Sequence, residues 1–491
     1  MTNPASSTTP ESAKPAVPPP SPYPEQPIQT QHSLKIGRKT LNYSVQVGTI
    51  PLKNPENGEL EANVFYSAYT LNSAQGEQAR PLTFAFNGGP GSSSVWLHLG
   101  ALGPQRVKML DDGSMPASPY QLVDNPHTWL EFTDLVFVDP VGTGFSRAAK
   151  PELNKKFWGV KGDLESMGEF VRLYLNRVGR WASPLFLAGE SYGTTRVSGL
   201  AGLLVEKGVA FNGILLISSI LNFQTARFSI GNDLPYVLFL PTYTATAWYH
   251  KKLPAELQKR PLSEVLNEVQ EWAITDYTVS LMRGSDLSAG KRAEVVQKLS
   301  RYTGLEPRFI ENNNMRLEIF RFCKELLREE NRAVGRLDSR FKGISALAVS
   351  EYPDFDPSFA AIIPPYTAML NQYLRTNLNC KIDLEYEILN RKVLEGWDWG
   401  GANEGFPDTG EMLRSALAKN PHMKVFAALG YYDLATPYFA AEYTFKHMGI
   451  DPTVRENLQS AYYEAGHMMY IDVNSLKKMQ VDAAKFVRGV V

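Results

Sequence analysis

The sequence predicts an α/β fold, in which helices flank a mostly parallel central sheet. A mostly helical segment is inserted in the sequence between the two parts of this α/β domain. Three features of the 491-residue chain support this: short runs that are apolar at every position, helix-like stretches between them, and a long charged, helix-forming segment. Continuously apolar runs indicate strands that are buried on both faces, as in a parallel sheet. Their alternation with helices predicts a layered α/β architecture.

The predicted strands cluster in the first half of the chain and near its end. Two alternating segments, 41–47 and 63–70, predict antiparallel strands around a turn at 54–58. The buried-strand runs are 81–86, 134–138, 184–188, 213–217 and 424–429, followed by 460–463. Helices are predicted over 162–176 and 194–207, and an amphipathic helix over 473–491 closes the chain.

Composition divides the chain into four segments. Residues 1–32 are rich in Pro, Ser and Thr and poor in large apolar groups, so we expect a disordered tail. Residues 33–222 and 386–491 are the two parts of the α/β domain. Residues 223–385 predict a mostly helical cap, because helices such as 291–301 and 314–330 are expected there and strand signals are scarce.

Charge and composition exclude several function classes. The formal net charge is −1, which gives no field to hold nucleic acid or an anionic membrane. The first residues lack the basic start and apolar run of a signal peptide, and no later run is long enough to span a bilayer. We therefore expect a soluble, cytoplasmic protein. Its oligomeric state is not indicated by the sequence.

Cysteine and glycine patterns give no sign of a cofactor. Cys323 and Cys380 could form one disulfide, but free thiols are favoured because a core of this size needs no covalent staple. No Cys/His cluster has metal-ligand spacing, and no P-loop or dinucleotide fingerprint is present. We expect neither a metal nor an organic cofactor.

A candidate nucleophile lies in Gly189–Gly193, which reads GESYG and fits the G-x-S-x-G elbow. In that motif the serine occupies a sharp strand-to-helix turn, and glycines are required because side chains two residues away would collide. An apolar strand precedes Ser191 and a helix-like run follows it. The context favours a nucleophile over an ordinary βα turn.

A glycine loop, Asn87–Gly91, follows an earlier apolar strand. A tetrahedral intermediate needs two N–H donors, one from the residue after the nucleophile and one from such a loop. Tyr192 and Gly89 are the candidates. The alternative is a flexible turn, which the downstream elbow in the expected order makes less attractive.

His467 is the candidate base among seven histidines. It follows the last predicted strand and precedes the closing helix, and a triad of this type places its histidine last in the chain. Asp433, which follows the strand 424–429, is the candidate orienting acid. Asp408 is less suitable because no strand leads into it. Ser191, Asp433 and His467 in this order predict an α/β-hydrolase fold.

Four segments together resemble the serine carboxypeptidases. Ala85–Ser94 is similar to the family pattern WLNGGPGCSS, 189–192 matches GESY, 139–146 is similar to DQPxGTGFS, and 464–467 is similar to GAGH. The resemblance covers about 60–220 and 420–491 and leaves out the cap. It implies hydrolysis of C-terminal peptide bonds through an acyl-enzyme. It also implies that Asn87, Gly88 and Glu190 hold the substrate's terminal carboxylate.

The chain departs from the family pattern at several positions. Ala85 replaces a Trp, Ser92 a Cys and Tyr431 an acid, and Tyr192 is followed by GTTR rather than AGxY. Two alternatives stay open: an esterase or acyltransferase that uses the same triad, and a non-catalytic binding module. Both the peptidase and the esterase hypotheses use Ser191, Asp433 and His467, so the triad does not separate them.

Overall fold

The computed structural model describes residues 22–72, 80–400 and 405–491. Most of the predicted tail therefore lies outside the described residues. The strands are β1 Ile28–Ile36, β2 Lys39–Lys53, β3 Leu60–Leu71, β4 Leu82–Phe86, β5 Gln105–Val107, β6 Leu122–Asp124, β7 Asp134–Val138, β8 Arg147–Ala148, β9 Leu185–Glu190, β10 Gly213–Ile217, β11 Arg332–Val334, β12 Lys342–Ile344, β13 Lys424–Gly430 and β14 Leu458–Tyr463.

The α-helices alternate with these strands and fill the interval between β10 and β13. They are α1 Val95–Leu97, α2 Asn154–Phe157, α3 Val160–Val178, α4 Tyr192–Glu206, α5 Leu234–Tyr249, α6 Ala255–Gln258, α7 Leu262–Trp272, α8 Thr278–Met282, α9 Ala289–Thr303, α10 Pro307–Asn312, α11 Ile319–Glu325, α12 Pro357–Gln372, α13 Arg391–Glu395, α14 Gly410–Lys419, α15 Tyr438–His447 and α16 Val473–Val490. No helix of the described residues is long and apolar enough to cross a membrane.

One large mixed sheet organises the molecule. Its strand order is β1-β2-β3-β7-β4-β9-β10-β13-β14, with β8 added beside β3. The strands from β7 to β14 in this order pair in parallel, whereas β1, β2 and β3 form an antiparallel extension. The predicted mostly parallel sheet is confirmed.

The parallel strands are buried on both faces. On β10, Ile214 and Leu216 belong to one hydrophobic core, and Leu215 and Ile217 belong to the core on the opposite face. Helices α3 and α4 cover the first face, and α16 covers the second. This explains why these strands are apolar at every position rather than at alternate ones.

The helices between β10 and β13 pack around a core of their own. Side chains from α5, α7, α9 and α11 meet there, including Tyr243, Trp272, Leu299 and Phe322. A short hairpin of β11 and β12 follows them. The predicted helix over 314–330 is shorter than expected, because only α11 and a 3₁₀ turn at Arg328–Glu330 form there.

Two further sequence-based expectations can be compared with the structure. β1 begins at Ile28, so residues 28–32, which the sequence assigned to the tail, instead pair with β2. Their alternating Gln, Thr and His residues gave no apolar signal, because one face of this edge strand is exposed. Cys323 and Cys380 are both free and buried, as favoured from the sequence.

Candidate active site

Ser191 lies in the turn between β9 and α4. Its backbone has φ 59° and ψ −128°, a conformation that non-glycine residues rarely adopt. A Cβ on Gly189 would lie 2.2 Å from the Gly193 carbonyl oxygen, and a Cβ on Gly193 would lie 2.5 Å from that of Phe86. Close backbone packing therefore requires glycine on both sides of the serine, as the motif predicts.

His467 and Asp433 meet beyond the ends of β14 and β13. Nδ1 of His467 lies 2.8 Å from Oδ2 of Asp433. The fully buried carboxylate also accepts hydrogen bonds from the N–H groups of Ala435 and Thr436 and from the Thr436 hydroxyl. The backbone carbonyl of His467 accepts from the Ser218 hydroxyl at 2.6 Å. Both the acid and the imidazole are thus held in fixed positions.

The environment of His467 suits a proton acceptor that becomes a cation. Burial alone would lower the imidazole pKa, but the adjacent Asp433 carboxylate and its hydrogen bond raise the pKa above the ordinary value. Oγ of Ser191 has no hydrogen-bond partner among the described residues, and it shares a cavity with His467. Hydrogen bonds from a nucleophile to its base commonly tighten only in the substrate complex.

This cavity, of about 340 Å³, collects most of the residues that the sequence singled out. They are Asn87, Gly88, Gly89, Glu190, Ser191 and His467. Its remaining wall is largely apolar and includes Trp96, Phe320, Phe359 and Leu394. Asp433 lies behind His467, away from the cavity.

The glycine loop lies against the start of α4. A Cβ on Gly88 would lie only 2.5 Å from the backbone nitrogen of Tyr192. Tyr192 is the first residue of α4, so its N–H has no partner within the helix. Gly89 adopts φ 101°, and no acceptor for its N–H is found among the described residues. The two predicted oxyanion donors therefore lie on adjoining segments beside Ser191.

The ring of Tyr192 points away from the cavity. It packs among Phe223, Trp397 and Trp399, with ring centroids 5.2–6.2 Å apart. This side chain anchors the start of α4, while the backbone of the same residue faces the glycine loop.

Asn87 and Glu190 form a buried pair in the floor of the cavity. Nδ2 of Asn87 donates to Oε2 of Glu190 at 2.9 Å, and Oδ1 of Asn87 accepts from the N–H of Leu97 at 3.0 Å. Burial raises the pKa of Glu190 to about 7, against the opposing effects of His467, Tyr470 and Asn87. The carboxyl is therefore neutral in acid solution and can donate a hydrogen bond.

The sequence analysis did not identify several residues that support this site. Tyr470 donates to Oε2 of Glu190 at 2.5 Å, and Thr436 contacts both Asp433 and His467. Neither belongs to a motif of known spacing. Tyr470 lies only three residues after His467, and that proximity in the chain was the available signal.

Arg196 also supports the site, in the segment where the chain departs from the family pattern. Its Nε lies 2.8 Å from Oδ2 of Asp163, and its Nη1 donates to the carbonyl of Asn87 at 2.6 Å. Both charged side chains are almost completely buried. The ion pair therefore holds the backbone of Asn87, whose side chain donates to Glu190.

His98, one of the rejected histidines, is a core residue. It stacks on Phe137 with ring centroids 4.3 Å apart and contacts the hydroxyl of Tyr69. Burial lowers its pKa to about 3.

Comparison with known proteins adds three findings. The family described as serine carboxypeptidase matches residues 54–484. Serine carboxypeptidase-like 36 of Arabidopsis thaliana is 31% identical over 167 residues, 33% of each chain. Pheromone-processing carboxypeptidase KEX1 of Saccharomyces cerevisiae is 37% identical over 106 residues, 21% of this chain and 13% of that protein. These matched stretches span a third or less of each relative.

A solved structure extends the likeness to nearly the whole chain. The crystal structure of Kex1(delta)p, a prohormone-processing carboxypeptidase from Saccharomyces cerevisiae, matches with a TM-score of 0.56 and 16% identity, over 91% of both chains. At this identity the match concerns the fold.

Proposed function

The chain belongs to the serine carboxypeptidase family, and from this premise we propose that it hydrolyses C-terminal peptide bonds through an acyl-enzyme on Ser191. The observation that carries the proposal is the buried Asn87–Glu190 pair, which lies in the same cavity as Ser191 and His467. A general serine hydrolase needs only the triad and the oxyanion donors. A carboxypeptidase needs in addition a group that recognises the free end of its substrate.

We assign the chemical steps to the residues as follows. His467 accepts the proton of the Ser191 hydroxyl as Oγ attacks the scissile carbonyl, and it then gives that proton to the leaving amine. Asp433 holds the imidazole and stabilises its charged form. The N–H groups of Gly89 and Tyr192 receive the oxyanion. Water then attacks the acyl-enzyme by the same route and releases the shortened peptide.

Glu190 and Asn87 are the groups that we assign to the terminal carboxylate, with the N–H of Gly88 as a third donor. A peptide C-terminus is ionised above about pH 4, so it would repel an ionised Glu190. A protonated Glu190 donates a hydrogen bond instead. Because burial raises the Glu190 pKa to about 7, this form prevails under mildly acidic conditions.

We propose that residues 223–385 form a cap over this site, between the two parts of the hydrolase domain at 33–222 and 386–491. The helices in this interval have their own hydrophobic core. Phe320, Arg336, Leu337 and Phe359 from the interval line the cavity above Ser191. The cap would therefore contribute to side-chain preference.

The test compares matched substrates: an N-blocked dipeptide as the free acid, as the amide and as a simple ester. For the free acid we expect kcat/KM to follow a bell, with an acid limb from His467 and an alkaline limb near pH 7 from Glu190. Amide and ester profiles should lack the alkaline limb. Glu190→Gln should remove the limb for the free acid too, because an amide donates at every pH.

Two outcomes would contradict parts of the proposal. Parallel profiles for free acid and amide, unchanged in Glu190→Gln, would exclude the carboxypeptidase activity and leave an esterase or acyltransferase. A serine-directed phosphonate that labels any residue other than Ser191 would exclude the triad itself.

The cytoplasmic location expected from the sequence stays a prediction, which fractionation of cells that express the chain tests.

A further inference from the structure

The two carboxyl oxygens of Glu190 have different environments. Oε2 accepts two hydrogen bonds, from Nδ2 of Asn87 at 2.9 Å and from the hydroxyl of Tyr470 at 2.5 Å. Oε1 has no hydrogen-bond partner in the part of the chain that the structure describes. Since Glu190 lines the cavity, Oε1 is the oxygen left for a ligand.

This asymmetry determines where a proton on Glu190 resides. Burial raises the pKa of Tyr470 well above its ordinary value, so its hydroxyl keeps its proton and stays a donor. The amide of Asn87 is a donor at every pH. An oxygen that already accepts two hydrogen bonds is a poor site for the acid proton. The proton of neutral Glu190 is therefore directed to Oε1.

We propose that Tyr470 is a positioning residue of the carboxylate site: its hydroxyl holds Oε2 as an acceptor, so that Glu190 presents a protonated Oε1 to the substrate's terminal carboxylate. The inference rests on the proposed function. The other titratable groups whose charge acts on Glu190 are His467 and Asp433, and the neutral Tyr366 also lies nearby. Of the residues described, only Tyr470 and Asn87 donate a hydrogen bond to it.

Tyr470→Phe tests this role, since it removes one hydroxyl and keeps the ring. The lost donor stabilised the ionised form of Glu190, so its pKa should rise. The alkaline limb of kcat/KM for free-acid peptides should then move up by about one pH unit. The KM for these peptides should rise severalfold at pH 5, because the proton is no longer confined to Oε1. The kcat/KM for amide and ester substrates should stay within twofold.

Tyr366→Phe is the matched control. Tyr366 is a buried tyrosine on α12 whose own pKa is raised by burial and by the nearby Glu190 carboxylate, but it makes no hydrogen bond to Glu190. It should leave the alkaline limb in place. If Tyr470→Phe lowers kcat/KM equally for acids and amides, or leaves the limb unmoved while Glu190→Gln removes it, the positioning role is wrong and the proposed function stands. If wild-type acid and amide profiles are parallel, the proposed function itself fails.

A second observation concerns another residue of the cavity wall. Arg336 lines it, and its guanidinium makes no hydrogen bond or ion pair with any described residue. Burial lowers the pKa of Arg227, and the charge of Arg336 lowers it further. Arg227 is itself without an ion-pair partner among the described residues and lies over the ring of Trp399. Two neighbouring cations without a carboxylate partner favour binding of an anion.

The carboxylate of Asp356 lies in the same cavity but forms no ion pair with the guanidinium of Arg336. Its oxygens accept hydrogen bonds from the backbone N–H groups of Arg336, Leu337, Ser358 and Phe359 and from the Ser358 hydroxyl. We infer that Arg336 forms a subsite for an acidic side chain at one of the two positions that flank the scissile bond. The substrate class is then a peptide with Asp or Glu near its C-terminus.

The test uses N-blocked peptides with Glu, Gln or Lys at either flanking position, assayed at pH 6, where a Glu side chain is ionised. At one position we expect wild type to cleave the Glu peptide at least tenfold faster than the Gln peptide in kcat/KM. Arg336→Met should abolish that preference, and Arg336→Glu should favour Lys. Arg332→Glu, at a partly buried position on β11 that does not line the cavity, is the control.

Cleavage of Glu and Gln peptides at equal rates at both positions, or a preference that survives in Arg336→Met, would overturn the subsite. Since every peptide in the series carries a free C-terminus, efficient but unselective cleavage would still support the carboxypeptidase function.

Discussion

At the scale of single residues, Ser191 and His467 are assigned to one proton transfer, and this gives a test that does not depend on the substrate. Ser191→Ala should lower kcat by about 10³-fold or more and leave the fold intact. His467→Ala should be nearly as damaging. Because each change alone already stops the transfer, the double variant should be little worse than either single one. Additive losses in kcat would show that the two residues act independently.

Residue-level prediction from the sequence was possible where a motif fixes the spacing. The elbow glycines around Ser191 are required by backbone contacts of 2.2 and 2.5 Å, and such contacts are local enough to leave a pattern. Tyr470 left none. Its partner Glu190 is 280 positions away in the chain, so only the folded structure brings the two together.

At the scale of elements, the buried strands were predicted best, because parallel pairing imposes an unbroken apolar run. β1 was missed, since an edge strand with one exposed face carries Gln, Thr and His at many positions. The helix predicted over 314–330 was too long. Arg328, one of the charged residues that suggested it, lies beyond the end of α11 and pairs back with Glu325, the last residue of that helix.

The ion pair between α3 and α4 yields a prediction about how elements hold the site. Arg196→Met removes the partner of buried Asp163 and the donor to the Asn87 carbonyl. We expect the free energy of unfolding to fall by about 3–5 kcal/mol, because an unpaired charge is left in the core. Adding Asp163→Asn should recover part of this loss. Urea denaturation of the single and double variants measures both effects.

Arg172→Met on α3 is the control for this prediction. Arg172 pairs with Glu169, and both side chains are about 40% exposed. Its loss should change the free energy of unfolding by less than about 1 kcal/mol, since solvent already screens the pair. Equal effects of Arg196→Met and Arg172→Met would show that the buried pair has no special role. The double variant Arg196→Met with Asp163→Asn should still show a raised KM for free-acid peptides. Its Asn87 carbonyl still lacks the hydrogen bond that the guanidinium of Arg196 donates in the wild type.

At the scale of the whole molecule, the sheet brings distant segments to one edge. β4, β9, β13 and β14 pair in parallel with their neighbours, so their carboxyl ends lie along the same side. Asn87, Ser191, Asp433 and His467 each follow one of these ends. The chain order and the strand pattern together were enough to predict this convergence. The lining contributed by the segment between β10 and β13 was not predictable, because no motif covers that interval.

The raised pKa of Glu190 also makes the stability of the whole molecule depend on pH, and this gives the last prediction. Burial raises the Glu190 pKa from 4.5 to about 7, so the folded protein holds this proton more tightly than the unfolded chain. The stabilisation is fully present below about pH 4.5, and it is lost as the pH rises through 7. It amounts to about 3 kcal/mol at most.

Glu190→Gln removes this titration and leaves His467 in both proteins. The free energy of unfolding of wild type minus that of Glu190→Gln should therefore fall by about 3 kcal/mol between pH 4.5 and pH 8. Urea denaturation at a series of pH values measures the difference, and Glu169→Gln, at the half-exposed site on α3, should show no such trend. A difference that stays constant with pH would mean that Glu190 titrates at its ordinary pKa in the folded protein. The alkaline limb assigned to it in catalysis would then need another origin.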